Sequence, residues 1–291
     1  MDNRVKPNTL ILNGPHMRDE EIEEIEIALL LDAIYKRYGY DFRNYTAASI
    51  KRRVRNLTAQ GNHASISAMI PPLLLNPAFG AKLIYGLSVT VSEMFRDPEF
   101  FGTLRQKVIP YLKTYPFVRI WHAGCATGEE VYSLAIVLKE EGFYDRATIF
   151  ATDFNDLALE KARQGIYPLD KMKEYTASYQ RAGGTGTFAE YFRTGYDAAI
   201  LDNALKKNIA FANHNLVADG IFSEMHLVIC RNVLIYFDKT LQDRVLRLFH
   251  DSLVYGGVLA LGSKETLQFT QVADNFKPLS SKWKIYQKAT P

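Results

Sequence analysis

Two glycines followed by two glutamates form the first group of residues in this sequence that could do chemistry. Residues 123–130 read Ala-Gly-Cys-Ala-Thr-Gly-Glu-Glu and lie between an apolar segment typical of a strand and one with helical periodicity. Gly124 and Gly128 would let the backbone approach a nucleotide closely and direct a helix N-terminus towards it. An ordinary strand-to-helix turn would show the same pattern, so other residues must support a nucleotide site.

Asp153 gives that support. It follows the next apolar segment and lies about 20 to 30 residues beyond the glycines, where an acidic side chain can bind ribose hydroxyls. The alternative is that Asp153 caps the following helix, a role that Asn155 or Asp156 could fill equally well. Together the glycines and Asp153 favour a nucleoside-containing ligand.

The residues beside the glycines indicate which class of cofactor is bound. A dinucleotide site normally has a third glycine, which is missing here. Glu129 and Glu130 stand where a pyrophosphate would lie, and two carboxylates repel phosphate but can bind a cation or an amine. A sulfonium cofactor with a free amino group therefore fits this turn better than a dinucleotide.

Two further segments carry polar residues in unusual places. Residues 230–237 read Cys-Arg-Asn-Val-Leu-Ile-Tyr-Phe and begin at the end of a predicted strand, where parallel sheets bind ligands. Core packing explains Phe237 or Ile235, but Arg231 and Asn232 would need polar partners if buried. Residues 92–101 could be a site segment, or an amphipathic linker helix with Arg96 in solvent.

The elements that must position these residues divide the chain in two. Residues 18 to about 95 predict a small all-helical domain, with a first helix over residues 18–38. Its apolar residues recur at helical spacing: Ile22, Ile25, Leu29 and Ala33. A second helix from about residue 47 carries a basic cluster: Lys51, Arg52, Arg53 and Arg55.

Residues 96–291 predict an α/β domain. Strands over residues 118–121, 147–152, 226–230 and 258–261 alternate with helices, which indicates a doubly wound parallel sheet. A last strand over residues 283–287 has no helix before it and is expected to pair antiparallel. We expect an inserted antiparallel β-subdomain at about residues 170–212, and a leader over residues 1–17 that is disordered or derived from a tag.

Composition limits the classes of function. The 291 residues are 47% hydrophobic and 23% charged, with a net charge of +3 and two cysteines. This charge is too small to indicate nucleic acid as a partner. No segment reaches the roughly 20 apolar residues that a membrane span needs. We therefore expect a cytoplasmic protein without membrane insertion, disulfides or a metal site.

Taken in order, these motifs resemble the chemotaxis receptor methyltransferases, the CheR family. The resemblance covers nearly the whole chain after Arg18 and implies a class I, Rossmann-like methyltransferase domain. The matching segments are Phe95-Arg96 with Phe100-Phe101, residues 119–121, 128–133, 151–153 and 165–167, Asn215-Leu216, and residues 230–238. In some members the β-subdomain binds a receptor tail, but residues 193–209 align poorly, so that role is not carried over.

The resemblance also implies which residues bind S-adenosylmethionine and its product S-adenosylhomocysteine. With Gly124 of the glycine turn, they are Thr90, Ser92, Arg96, Glu130, Asp153, Asn215, Leu216, Arg231 and Asn232. Arg96 and Tyr236 are expected near the transferred methyl group as catalytic residues. Family members usually have Asn at position 90, Thr at 92 and Phe at 94, where this chain has Thr90, Ser92 and Met94.

The resemblance implies methyl ester formation on glutamates of a chemoreceptor-type partner. The basic residues of the second helix, Lys51, Arg52, Arg53 and Arg55, are expected to face this acidic partner, although a solvated helix face would have the same pattern. Two other functions stay open: a methyltransferase of this fold with another acceptor, and a non-catalytic module that senses the cofactor.

Overall fold

The N-terminal part of the protein is all-helical. A computed structural model describes residues 18–195, 197–222 and 224–289, so the leader predicted at residues 1–17 lies outside the described residues. The helices are α1 (Asp19–Tyr38), α2 (Ala47–Gln60), α3 (Ile70–Leu75) and α4 (Pro77–Leu87). They enclose a small core of their own that includes Leu30, Ile34, Val54, Met69 and Leu83.

Helix α1 has two apolar faces. Leu30, Leu31 and Ile34 are buried in the core of the helical domain. Ile22, Ile25 and Leu29, whose spacing helped to predict the helix, are 46%, 48% and 53% exposed. The periodicity was sufficient to predict a helix. The face that packs against α3, however, is the buried one and not the face of Ile22, Ile25 and Leu29.

The C-terminal part contains two sheets. Its strands are β1 (Val118–Ala123), β2 (Ala147–Asp153), β3 (Ile166–Pro168), β4 (Phe192–Gly195), β5 (Ala198–Leu201), β6 (Ile209–Asn213), β7 (Met225–Cys230), β8 (Leu253–Leu261), β9 (Phe276–Ser280) and β10 (Ile285–Lys288). Its helices are α5 (Pro98–Thr103), α6 (Ile109–Leu112), α7 (Glu129–Glu140), α8 (Asp156–Gln164), α9 (Met172–Arg181) and α10 (Lys239–Ser252).

The large sheet has seven strands in the order β6-β2-β1-β7-β8-β10-β9. The first five are parallel, and β10 pairs antiparallel with β8 and β9. The predicted α/β, doubly wound fold with a helical N-terminal domain is confirmed. The strand order reverses between β1 and β7, and ligands of such sheets bind outside the carboxyl ends of the strands at this point.

The small sheet is antiparallel, with the order β3-β5-β4. It spans residues 166–201, so it begins before the predicted insertion at about residues 170–212. Strand β6 falls inside that predicted range but pairs in parallel with β2 in the large sheet. The segment before β6 is polar, and the sequence predicts no helix in it. The alternation of strands and helices in the sequence therefore did not reveal β6 as a strand of the large sheet.

The central strands are buried on both faces, as parallel strands between two helical layers must be. Five of the six residues of β1 are buried, and Arg119 is its exposed residue. The segment is therefore almost continuously apolar, and His122 is a polar exception that is only 2% exposed. Within the described parts of the chain, no helix has the length and apolar character needed to cross a membrane.

Candidate active site

Two adjoining cavities lie at the carboxyl ends of β1 and β7. We call them the apolar cavity, lined by Phe154, Val217 and Phe237 among others, and the polar cavity, lined by charged residues. The polar cavity has a volume of about 450 Å³, which is typical of small-molecule sites. Both cavities share the walls Ser88, Val89, Gly124, Asn232, Val233 and Tyr236.

The structure brings the predicted cofactor residues together around these cavities. Asp153, Asn215 and Leu216 line the apolar cavity. The polar cavity is lined by Thr90, Ser92, Arg96, Glu130 and Arg231. Gly124, Asn232 and Tyr236 contact both. These residues come from five separate chain segments, which the strand order of the sheet places at one edge.

The glycine turn between β1 and α7 cannot accept larger residues. Gly124 has φ +70°, and a Cβ there would lie 2.6 Å from Val233. Gly128 has φ +90°, and its Cβ would lie 2.8 Å from Ala162. Both positive φ values favour glycine. The turn thus packs closely against Val233 and Ala162, and no side chain from Gly124 fills the cavities that it lines.

Asp153 is available to a ligand because another residue caps the next helix. The Asn155 side chain accepts from the backbone N–H groups of Leu157 and Ala158, so it is the N-cap of α8. Asp153 accepts from Ala126 N at 2.9 Å and Asn155 N at 3.0 Å. Burial raises the pKa of its carboxyl. Each oxygen keeps a lone pair that could accept a ligand hydroxyl.

A buried ion-pair network forms the floor of the polar cavity. Arg231 Nη1 lies 2.6 Å from Glu130 Oε2, and Arg231 Nη2 lies 2.5 Å from Asp97 Oδ2. The guanidinium also packs 4.0 Å from the ring centre of Phe100. Burial raises the pKa of Glu130, but the attraction of Arg231 and of His122 outweighs it and holds this pKa below the ordinary 4.5. Glu130 is therefore ionised at neutral pH.

One oxygen of that carboxylate lacks a hydrogen-bond partner. Glu130 Oε1 lies 3.3 Å from His122 Nε2. The angles are not those of a hydrogen bond, and both buried atoms have no such partner among the described residues. An unpaired buried carboxylate oxygen is costly unless a ligand completes it. The polar cavity therefore fits a ligand with a cationic or donor group.

Unusual backbone angles cluster around the same cavities. Phe95 and Asp97 both have φ 54°, and Ala126 and Asn232 have φ 47° and 60°. Such angles are uncommon for residues other than glycine and persist where neighbouring contacts fix them. The Phe95 N–H donates to Ser133 Oγ at 2.8 Å, and Arg231 donates to the Arg96 carbonyl at 3.2 Å. These two hydrogen bonds thus hold the strained segment around Arg96, which lines the polar cavity.

The helical domain forms the outer wall. Thr46 N donates to the Tyr236 carbonyl at 2.8 Å, which ties the start of α2 to the segment after β7. The Arg53 guanidinium packs 5.1 Å from the ring centre of Tyr236 and donates to the carbonyls of Leu87 and Ser88. Arg52 and Arg53 line the polar cavity. Both domains are therefore needed to build it.

The structure separates the predicted basic cluster into two pairs. Lys51 and Arg55 do not line either cavity and instead bind Glu23 of α1, at 2.9 Å and 2.5 Å. Residues 51 and 55 are one helical turn apart, so they point to the α1 side of α2. Only Arg52 and Arg53 reach the polar cavity.

Several cavity residues were not predicted. His122 is one, and its signal was a polar residue inside an otherwise apolar strand. Tyr45, Val89 and His214 also line the apolar cavity, but no motif marked them, because they approach from loops and from the other domain. Glu265, which lies behind the cavity wall, was missed for the same reason.

Comparisons with known proteins agree with this geometry. Residues 90–285 match the family model "CheR methyltransferase, SAM binding domain", and residues 25–86 match "CheR methyltransferase, all-alpha domain". The chain is 49% identical to "Putative methyltransferase Cher3" of Pseudomonas putida, over 94% of this chain and 100% of the relative. It is 34% identical to the chemotaxis protein methyltransferase of Salmonella typhimurium, over 80% of each chain.

A much longer relative matches this chain over part of its length. The chain is 34% identical to part of a 104.1 kDa protein of Rhodobacter capsulatus, over 86% of this chain and 26% of that protein. The two family models together cover the helical domain and the α/β domain, which jointly build the cavities. The chain belongs to the CheR methyltransferase family and is an S-adenosylmethionine-dependent methyltransferase.

Proposed function

We propose that the protein transfers the methyl group of S-adenosylmethionine to glutamate carboxylates of a chemoreceptor-type partner protein. The observation that carries this proposal is a set of free polar groups in the polar cavity. The guanidinium groups of Arg52 and Arg96 and the hydroxyl of Tyr236 line it, and none of them has a hydrogen-bond or ion-pair partner among the residues described. Two free cations and a phenol fit an anionic acceptor.

The two cavities suggest how the cofactor is held. Leu216 and Val217 of the apolar cavity would hold the adenine ring, and Asp153 would accept hydrogen bonds from the ribose hydroxyls. Glu130, which is ionised and lines the polar cavity, would hold the ammonium of the methionine part. Arg96 and Tyr236, which also line the polar cavity, would then lie on the side of the sulfonium.

The reaction needs alignment more than proton transfer. A glutamate side chain has a reference pKa of about 4.3 and is already ionised at neutral pH, so no general base is required. When bound, S-adenosylmethionine supplies a methyl group on a cationic sulfur. Arg96 would position the acceptor or cofactor carboxylate, and Tyr236 would orient the acceptor by a hydrogen bond. Proximity and orientation can supply roughly 7 to 11 kcal/mol in favourable cases.

Relatives support the acceptor assignment. The Salmonella typhimurium relative is named a chemotaxis protein methyltransferase, as are relatives from Listeria innocua and Borreliella burgdorferi. The free positive charge of Arg52 at the cavity mouth suits an acidic partner surface.

The experiment uses cofactor labelled with a radioactive methyl group and a purified chemoreceptor signalling domain. We expect label in the receptor that mild base releases as methanol, as glutamate methyl esters require. Label that resists base would indicate nitrogen or another acceptor. Cofactor binding without any transfer, tested against several receptor domains, would favour a cofactor-sensing module. Normal turnover of Arg96→Ala would exclude the role given to Arg96.

A further inference from the structure

A buried carboxylate lies behind the wall that both cavities share. Glu265 follows β8 and is 4% exposed. Its Oε1 accepts from the backbone N–H groups of Val233 and Leu234 at 2.9 Å and 2.8 Å. Its Oε2 accepts from those of Asn232 and Gly262 at 3.2 Å and 2.5 Å. Four backbone donors therefore converge on one side chain.

This carboxylate determines the path of the chain after β7. Asn232, Val233 and Leu234 are consecutive, and their N–H groups all turn to the same side to reach Glu265. Asn232 has φ 60°, an angle that needs support from its surroundings. Charge-assisted hydrogen bonds are about twice as strong as neutral ones, so an ionised Glu265 can supply that support.

The segment that Glu265 holds is part of the candidate active site. Asn232, Val233 and Tyr236 line both cavities, whereas Glu265 lines neither. The two loops also approach closely at Gly262, where an added Cβ would lie 2.7 Å from Glu265 Oε2 and 2.9 Å from Asn232 N. No side chain fits between Glu265 and the segment, so Glu265 can act on the cavity only through this backbone.

We propose that Glu265 is a positioning residue for methyl transfer, which fixes the Asn232–Leu234 backbone and so places Asn232 and Tyr236 at the cofactor. The inference rests on the proposed function, because the role of Tyr236 belongs to it. Replacing the carboxylate by an amide of the same shape would set an NH2 group against two backbone N–H donors. The turn would then have to move to relieve that contact.

The test compares Glu265→Gln with Glu140→Gln as a matched control. The Glu140 side chain is also 4% exposed and accepts from Arg105, Tyr179 and Tyr191, but it lines neither cavity. Three quantities are measured on each purified variant: amide hydrogen exchange of residues 232–234, the Kd for S-adenosylhomocysteine, and kcat and KM for labelling of the receptor domain.

Glu265→Gln should accelerate exchange at residues 232–234, and weaken product binding or lower kcat by about 10- to 100-fold, as loss of an orienting partner typically does. Glu140→Gln should leave all three quantities as in the natural protein. Faster exchange with natural Kd and kcat would show a purely structural role and overturn the proposal, as would unchanged exchange at residues 232–234.

The experiment also distinguishes a failure of the proposed acceptor from a failure of the role proposed for Glu265, and it allows for a variant that does not fold. If the natural protein binds product but labels no receptor, the acceptor assignment fails, while exchange and Kd still decide the role of Glu265. If Glu265→Gln does not fold, Glu265→Asp replaces it, because it keeps the negative charge on a side chain too short to reach all four backbone donors. This variant should show the same pattern, and natural values for all three quantities would overturn the proposal.

Discussion

Arg231 and Glu130 form a buried ion pair that joins the carboxyl end of β7 to the first turn of α7, with 2.6 Å between Nη1 and Oε2. The Arg231 side chain is 1% exposed, and its other terminal nitrogen binds Asp97. One guanidinium thus connects three segments that border the polar cavity. Its loss would leave the buried Glu130 carboxylate and the partly exposed Asp97 carboxylate without this counter-charge.

We expect Arg231→Met to destabilise the protein strongly. Removing one partner of a buried pair typically lowers the free energy of unfolding by about 3 to 5 kcal/mol. Urea denaturation measures this change. Lys207→Met is the control, because its pair with Asp145 is exposed and should contribute less than about 1 kcal/mol. Equal effects of the two substitutions would contradict the assignment.

The pH dependence of stability should reveal the ionised state of Glu130. Its pKa in the folded protein is below 4.5, so the unfolded chain binds the proton more tightly. The stabilisation is present above the unfolded pKa and is lost as the pH falls towards the folded one. The stability advantage of the natural protein over Glu130→Gln should therefore shrink between about pH 6 and pH 3. A difference that stays constant over this range would be inconsistent with an ionised Glu130.

Arg52 and Lys51 are adjacent but should differ in their effect on the acceptor. Arg52 lines the polar cavity, whereas Lys51 binds Glu23. Arg52→Gln should raise KM for the receptor domain by about fivefold or more at low ionic strength, because it removes attraction for an acidic partner. Lys51→Gln should leave KM near its natural value. If Lys51→Gln has the larger effect, the partner binds the α1 side of α2 instead.

The positions of Asp153 and Arg231 in the fold could be predicted from the sequence. Asp153 and Arg231 follow apolar segments directly, and in a parallel sheet such positions share one edge. Only the structure shows that Asn155, and not Asp153, caps α8, because both residues have capping chemistry.

Other features depend on contacts that no local pattern encodes. Helix α1 has two apolar stripes, and only packing shows that Leu30 and Ile34 are buried while Ile25 stays exposed. Glu265 is 33 residues from Asn232 in the sequence. Their hydrogen bond exists because β7 and β8 are neighbours in the sheet, and strand order is a long-range property.

We propose that the two cavities bind S-adenosylmethionine, with Asp153 at the ribose. Calorimetric titration of the natural protein and of Asp153→Asn with S-adenosylmethionine and S-adenosylhomocysteine tests it most directly. Asp145→Asn serves as the exposed control, with 82% of its side chain accessible. We predict saturable binding to the natural protein and the control, and a loss of about tenfold or more in Asp153→Asn, as removal of a ligand hydrogen bond to a charged group costs about 1.5 to 3 kcal/mol. Absence of binding to the natural protein would exclude a cofactor site in these cavities, and equal affinity in Asp153→Asn would exclude Asp153 as the ribose ligand.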